Sequence, residues 1–340
     1  MTGSLMQAAY LQKPLSIEMK TIPVPSPGAG EVRVRLKMTG ICGSDVHLFL
    51  GHREMPAPMI TGHEGLGYID SVGAGVSQHS IGDRVVIEPN IACNTCKYCL
   101  SGRGNICIQK KVIGLNEAGC FAEYVCIPAS HAWLIPQGIH DYDAVMIEPT
   151  AVAWHALSVS HARPGDTIAV IGLGAIGLLL TQLALALGFK VIVTENNQAK
   201  MNSALNMGAI ECAPSSSGDY TLIAQTWSDH EVVAVFECAG SDHSASLATA
   251  AAPRGSEIIL VGLSAQPASF QPLKIVREGI SILPSIIYNH PDDFRQAIHL
   301  IDTGVIKPSN IISATMPLKQ IQVAMEKAAK GADSKIILTM

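Results

Sequence analysis

Cys93, Cys96, Cys99 and Cys107 stand within 15 residues, spaced C-x2-C-x2-C-x7-C. Four thiolates this close can close a tetrahedron around Zn2+, with metal–sulfur bonds of about 2.3 Å and no open position for chemistry. An iron–sulfur cluster and four free thiols are the alternatives. The spacing matches none of the common ferredoxin runs, so the adopted reading is a structural zinc that braces a loop.

A second chemistry-bearing run is Gly172-Leu173-Gly174-Ala175-Ile176-Gly177. It follows an apolar strand-like stretch and opens a helix-like one. In that context the first glycine makes a tight turn, the second admits a pyrophosphate against the backbone, and the third lets helix pack on strand. The phosphates then sit on the positive end of the helix, which includes Ala175 and Ile176. The next expected strand ends at Glu195, 18 residues past Gly177, where an acidic side chain holds ribose hydroxyls. That carboxylate repels a 2′-phosphate and no arginine follows it at once, so NAD is expected rather than NADP. Lys200 reads equally as a contact to the adenosine ribose and as a solvated helix residue.

A third group is dispersed. Cys42 lies in Gly40-Ile41-Cys42-Gly43-Ser44-Asp45-Val46-His47, His63 and Glu64 lie between Gly62 and Gly65, and Glu148 lies in Met146-Ile147-Glu148-Pro149. Cys, His and Glu together make a mixed ligand set for a catalytic zinc that keeps one position for water or substrate. Taken singly, each has a plainer reading as a packed thiol, a core histidine or a capping carboxylate. Adjacent His63 and Glu64 point to opposite faces of a regular strand, so they reach one metal only if the flanking glycines break it.

These groups need a scaffold, and 340 residues suggest two domains at about 150 residues each. Hydrophobic residues are 48% and charged residues 15%, which excludes a disordered chain. A formal charge of −5 with no basic run argues against nucleic acid or an anionic membrane surface as partner. Residues 167–189 carry no charge and have the length of a membrane span, but they divide into a β-branched run, a glycine turn and a helix. The first residues lack the apolar core of a signal peptide. Nine cysteines with no such signal point to a reducing cytoplasm.

Glu31–Met38 alternates strictly, and short apolar or alternating runs continue through 68–72, 84–88, 121–127 and 132–135, as in an irregular β domain. After Pro164-Gly165-Asp166 the texture changes to strand–helix units. Strands are expected at 168–171, 190–194, 209–212, 232–236, 257–261 and 280–284, the size of one doubly wound dinucleotide domain. Helices near 292–302 and 318–330 and a strand at 335–339 are expected to return to the first domain.

Taken in order, GxCGSDxH, GHEGxG, the four-cysteine loop, IEP and GLGAIG resemble the zinc-dependent medium-chain dehydrogenase/reductase family, especially its sorbitol/threonine dehydrogenase-like branch of polyol and sugar-acid dehydrogenases. The resemblance spans nearly the whole chain. It implies an α/β architecture: a GroES-like β-rich catalytic domain over 1–153 and 291–340, and a Rossmann doubly wound parallel-sheet domain over 154–290. It implies two Zn2+ per chain. Cys42 and His63 match catalytic zinc ligands, Glu64 and Glu148 match carboxylates at or near that metal, and Cys93, Cys96, Cys99 and Cys107 match structural zinc ligands. Ser44 and His47 match a proton relay. Two departures occur, Gly119-Cys120 for the usual Gly-Gly and Thr150 after the Glu-Pro pair. Both bear on the pocket, as do Phe49, His52, Arg53, Glu54 and Trp154.

The resulting expectation is a cytoplasmic enzyme, a homodimer or homotetramer. It moves a hydride between NAD and a secondary alcohol of a polyol, sugar acid or hydroxy amino acid. A metal-free quinone or enone reductase and a non-catalytic NAD-binding sensor are the competing readings.

Overall fold

The computed structural model describes residues 4–55, 58–213 and 220–340. The chain divides into two compact units, 1–148 with 307–340, and 149–306. The sequence reading placed the division at 153 and 290. The later return follows from the helix Asp292–Asp302, which buries Phe294, Ala297, Leu300 and Ile301 on one face. Its buried Asp293 accepts hydrogen bonds from His155 Nδ1 and the Asn289 N–H, each at 2.7 Å. That pairing keeps the helix in the second unit.

In the first unit, Glu31–Gly40 is the central strand of a seven-stranded sheet. Its alternating Val32, Val34, Leu36 and Met38 are buried, as the period of two requires. Glu64–Val72 pairs with it antiparallel, and Arg84–Ile87 continues the sheet beyond. On the other edge lies the C-terminal strand Ile336–Thr339, antiparallel to Glu31–Gly40 and parallel to Ala314–Pro317. A hairpin of Leu5–Lys13 and Ser16–Pro23 builds a second sheet. Its Ala-Ala pair and mixed polar face gave no alternation to read, and its tight turn is carried by Leu15 at φ +64°.

In the second unit six parallel strands run Glu211–Ala213, Lys190–Thr194, Thr167–Ile171, Val232–Glu237, Glu257–Leu260, Ser281–Pro284 in spatial order. Thr167–Ile171 is buried along its whole length, which is why it reads as a continuous apolar run. The uncharged stretch 167–189 is this strand, a turn and the helix Ala175–Ala186. No helix among the described residues is long and apolar enough to cross a membrane.

Candidate functional site

The four-cysteine loop closes on itself. Cys96 Sγ lies 3.5 Å from Cys99 Sγ and 3.9 Å from Cys107 Sγ, and Cys93 Sγ lies 3.9 Å from Cys99 Sγ. A tetrahedron with metal–sulfur bonds of about 2.3 Å has edges of about 3.8 Å, so these separations suit one zinc. They are far beyond the ~2.05 Å of a disulfide. Backbone N–H groups of Cys93 and Gln109 donate to Cys107 Sγ, and that of Cys96 donates to Cys93 Sγ. Hydrogen bonds from Thr95 and Cys96 bring the Cys93 thiol down to about 6. Such donors favour thiolates, the form that binds metal.

The dispersed group also converges. Cys42 caps the short helix Gly43–Phe49, His63 ends a loop, and Glu64 opens the strand Glu64–Val72. One ligand atom from each lies within 4.8 Å of the others. Gly62 is the break the sequence demanded: its φ is +89°, and a Cβ there would meet the Phe121 ring at 2.5 Å. His63 and Glu64 are 6% and 1% exposed. Glu64 Oε1 is buried without a hydrogen bond. A buried orphan carboxylate oxygen beside a cysteine thiol and an imidazole fits a metal ion that would complete it. Glu148 is buried too and stands outside this group of three, though near enough for its charge to act on Lys335.

Two residues that the sequence reading passed over shape this site. Asp45, fully buried, accepts from the N–H of Cys42 at 3.0 Å and of Gly62 at 3.1 Å, and its Oδ1 lies 3.5 Å from His63 Nδ1. One carboxylate therefore ties both ligand-bearing segments together and faces the imidazole. Lys335 donates from Nζ to Glu64 Oε2 in a pair 1% exposed on each side. Burial lowers the Lys335 pKa, but the charges of Glu64, Cys42 and Glu148 outweigh it and hold it above the usual lysine value. Burial likewise opposes protonation of His63, and Asp45 and Cys42 overcome it. The pocket is thus rich in anionic donors, the environment a divalent cation requires.

Ser44 Oγ lies 3.4 Å from His63 Nε2. Ser44 and His47 are three residues apart on one helix, so they share a face. Burial, then the neighbouring His52 (ring centroids 5.7 Å apart), lowers the His47 pKa below its ordinary value. Phe49 is 1% exposed and belongs to the core packed around Leu11, Leu48 and Met325 rather than to a pocket. Cys120 and Thr150 are likewise fully buried. Burial drives the Cys120 thiol up to about 12, as in an inert packed cysteine.

In the second unit, Gly172 turns at φ +84°, and Gly174 caps the helix that begins at Ala175. A Cβ at Gly177 would overlap the Gly172 carbonyl oxygen, whereas one at Gly174 would meet nothing within 4 Å. Space is left where a diphosphate would lie and removed where helix meets strand. Glu195 closes the turn: Leu173 N–H donates to its Oε2 at 2.7 Å, and Asn196 and Asn197 N–H donate to Oε1. Glu237, 1% exposed at the end of its strand, accepts from the N–H of Ala239 and Gly240. It was not expected, because a strand-end glutamate carries no motif.

Residues 28–137 match the alcohol dehydrogenase GroES-like domain family, and residues 175–303 match the zinc-binding dehydrogenase family. Sorbitol dehydrogenase of Halalkalibacterium halodurans is 32% identical over 93% of this chain and 94% of its own length. A solved structure of the alcohol dehydrogenase rspB of Escherichia coli CFT073, complexed with NADH, superposes at TM-score 0.92, with 30% identity, over 99% of this chain and all of that one. A zinc-binding dehydrogenase of Sinorhizobium meliloti 1021 bound to NADP does so at TM-score 0.92, with 29% identity and the same coverage. The chain belongs to the zinc-dependent medium-chain alcohol dehydrogenase family, with a GroES-like domain and a Rossmann-like domain. It is an oxidoreductase of that class, and neither the reductase nor the sensor reading is favoured.

Proposed function

We propose that the protein oxidises a secondary alcohol of a polyol, sugar acid or hydroxy amino acid with NAD, or runs the reverse reduction. The observation that carries this reading is the convergence of Cys42, His63 and Glu64 on one point, with Ser44 on the adjoining helix. Cys42, His63 and one of the pair Glu64 and Glu148 would hold a catalytic zinc, and Cys93, Cys96, Cys99 and Cys107 a structural one. Bound there, zinc would supply Lewis acidity to a substrate hydroxyl. Ser44 takes the hydroxyl proton as it is lost and hands it along the helix face to His47, which is neutral at pH 7 and therefore able to accept it. NAD would accept the hydride. Gly172, Gly174, Ala175, Ile176 and Gly177 seat its diphosphate, Glu195 its adenosine ribose, and Lys200 lies at the next helix.

The preference for NAD rests on Glu195, whose charge opposes a 2′-phosphate. Its carboxylate already accepts three backbone N–H groups, which hold it in place. Self-association is supported by exposed Leu263, Phe270, Leu273 and Val276 in the segment that joins Glu257–Leu260 to Ser281–Pro284. A homodimer or homotetramer covers that apolar surface. All nine cysteines are free of disulfides, which suits a reducing cytoplasm.

The test is metal analysis of the purified protein, then absorbance of reduced cofactor with NAD and a panel of polyols, aldonates and L-threonine. Two zincs per chain with turnover on one class is the expected result. One zinc and no turnover would overturn the reading.

A further inference from the structure

Lys335 enters the first unit from the far end of the chain, 271 residues from Glu64, and the two meet away from solvent. We infer that Lys335 is a positioning residue that grips Glu64 Oε2 and leaves only Oε1 for the metal. This rests on the proposed zinc at Cys42 and His63. The two oxygens of Glu64 have different fates: Oε2 accepts from Lys335 Nζ, while Oε1 is buried with no donor at all. A carboxylate divided in this way offers one oxygen to a cation within reach of Cys42 and His63. With both oxygens free it is a two-oxygen ligand that fills the position a substrate needs.

The fold is arranged to hold this pair. Lys335 immediately precedes the strand Ile336–Thr339, and its backbone is held at both ends by Ser313: Ser313 N–H and Oγ donate to the Lys335 carbonyl at 2.9 and 3.0 Å, and Lys335 N–H donates to Ser313 Oγ at 3.3 Å. Gly40 faces the pair across the sheet. A Cβ there would overlap Glu64 Oε2 and lie 3.0 Å from Lys335 Cε, so the absent side chain makes the room. The pair also limits charge. Cys42, Glu64 and Glu148 are three potential anions whose charges all act on Lys335. A buried charge without such a partner is strongly unfavourable.

Three variants test the inference: Lys335→Met, Glu64→Gln and the double variant. The readouts are the rate of zinc release to a chelator and the visible spectrum after cobalt replaces zinc. Both sites of the unaltered protein are measured first; only one bound zinc would overturn the zinc reading and the inference with it. Two zincs leave the reading standing whatever the variants do. Lys335→Met is expected to slow release of the catalytic metal by about tenfold or more, the scale of effects from groups that orient ligands. Its cobalt bands should weaken toward higher coordination, and the four-cysteine metal should be unaffected. In the Glu64→Gln background the same change should have no effect on release. Unchanged or faster release in Lys335→Met, or an effect that persists without the Glu64 carboxylate, would overturn the inference. Should Lys335→Met not fold, Lys335→Leu takes its place: slower release is expected, and unchanged or faster release overturns the inference.

Discussion

The Leu173 N–H donates to Glu195 Oε2 at 2.7 Å, so the acidic residue and the glycine turn of the dinucleotide site form one hydrogen-bonded unit. Glu195 thereby positions the turn, and in the proposed function it also faces the ribose. Glu195→Ala is expected to lower the ratio of kcat/KM for NAD over NADP by at least tenfold, about 1.4 kcal/mol. Parallel titrations with the two cofactors measure it. An unchanged ratio would remove Glu195 from cofactor selection.

Asp45 joins the segments that carry Cys42 and His63 through two backbone N–H groups, and no ligand is itself altered when it is changed. Asp45→Asn keeps the shape and loses the charge that faces His63. Affinity for one of two zincs should fall by about 10- to 100-fold. Competition with a chromogenic chelator would resolve the weakened site from the intact four-cysteine site.

The sulfurs of the four-cysteine loop approach one another in the manner of a closed site that does no chemistry. Cys96→Ser should therefore remove one zinc per chain and lower Tm by several degrees, at about 2–4 °C per kcal/mol for a unit of this size. The catalytic zinc should remain. Metal analysis beside a thermal melt checks both halves, and loss of both metals would mean the two sites are not independent.

His47 is held below its ordinary pKa by burial and by His52. In the proposed relay its neutral form accepts the proton, so turnover should decline as pH drops through the pKa. His52→Gln removes one of the two lowering influences, and His47 should then protonate at higher pH. The acidic limb of kcat against pH is expected to move upward while the plateau above pH 8 stays in place. A uniform loss at every pH would assign His52 a structural task instead.

Much of this molecule could be read in advance because its signals are local. The alternation of Glu31–Met38, the cysteine spacing and the glycine turn each occupy a short run whose own geometry makes the structure. The helix Asp292–Asp302 was visible by its period, but its unit was not, since that depends on Asp293 meeting His155. Phe49 lies on the same short helix as His47, and only packing shows that it faces the core.

By itself the sequence determined most element types, the close spacing of the four-cysteine loop and the dinucleotide turn, because side-chain period and ligand spacing are properties of contiguous chain. Tertiary structure decided which distant residues attend the donors. Asp45 reaches Gly62 only through the sheet and loop that bring them together, and Lys335 reaches Glu64 because the C-terminal strand adds to Glu31–Gly40. A lone aspartate and a lone lysine carry no pattern. Their charges acquire meaning when burial strips away water and leaves them facing the segments that carry Cys42, His63 and Glu64.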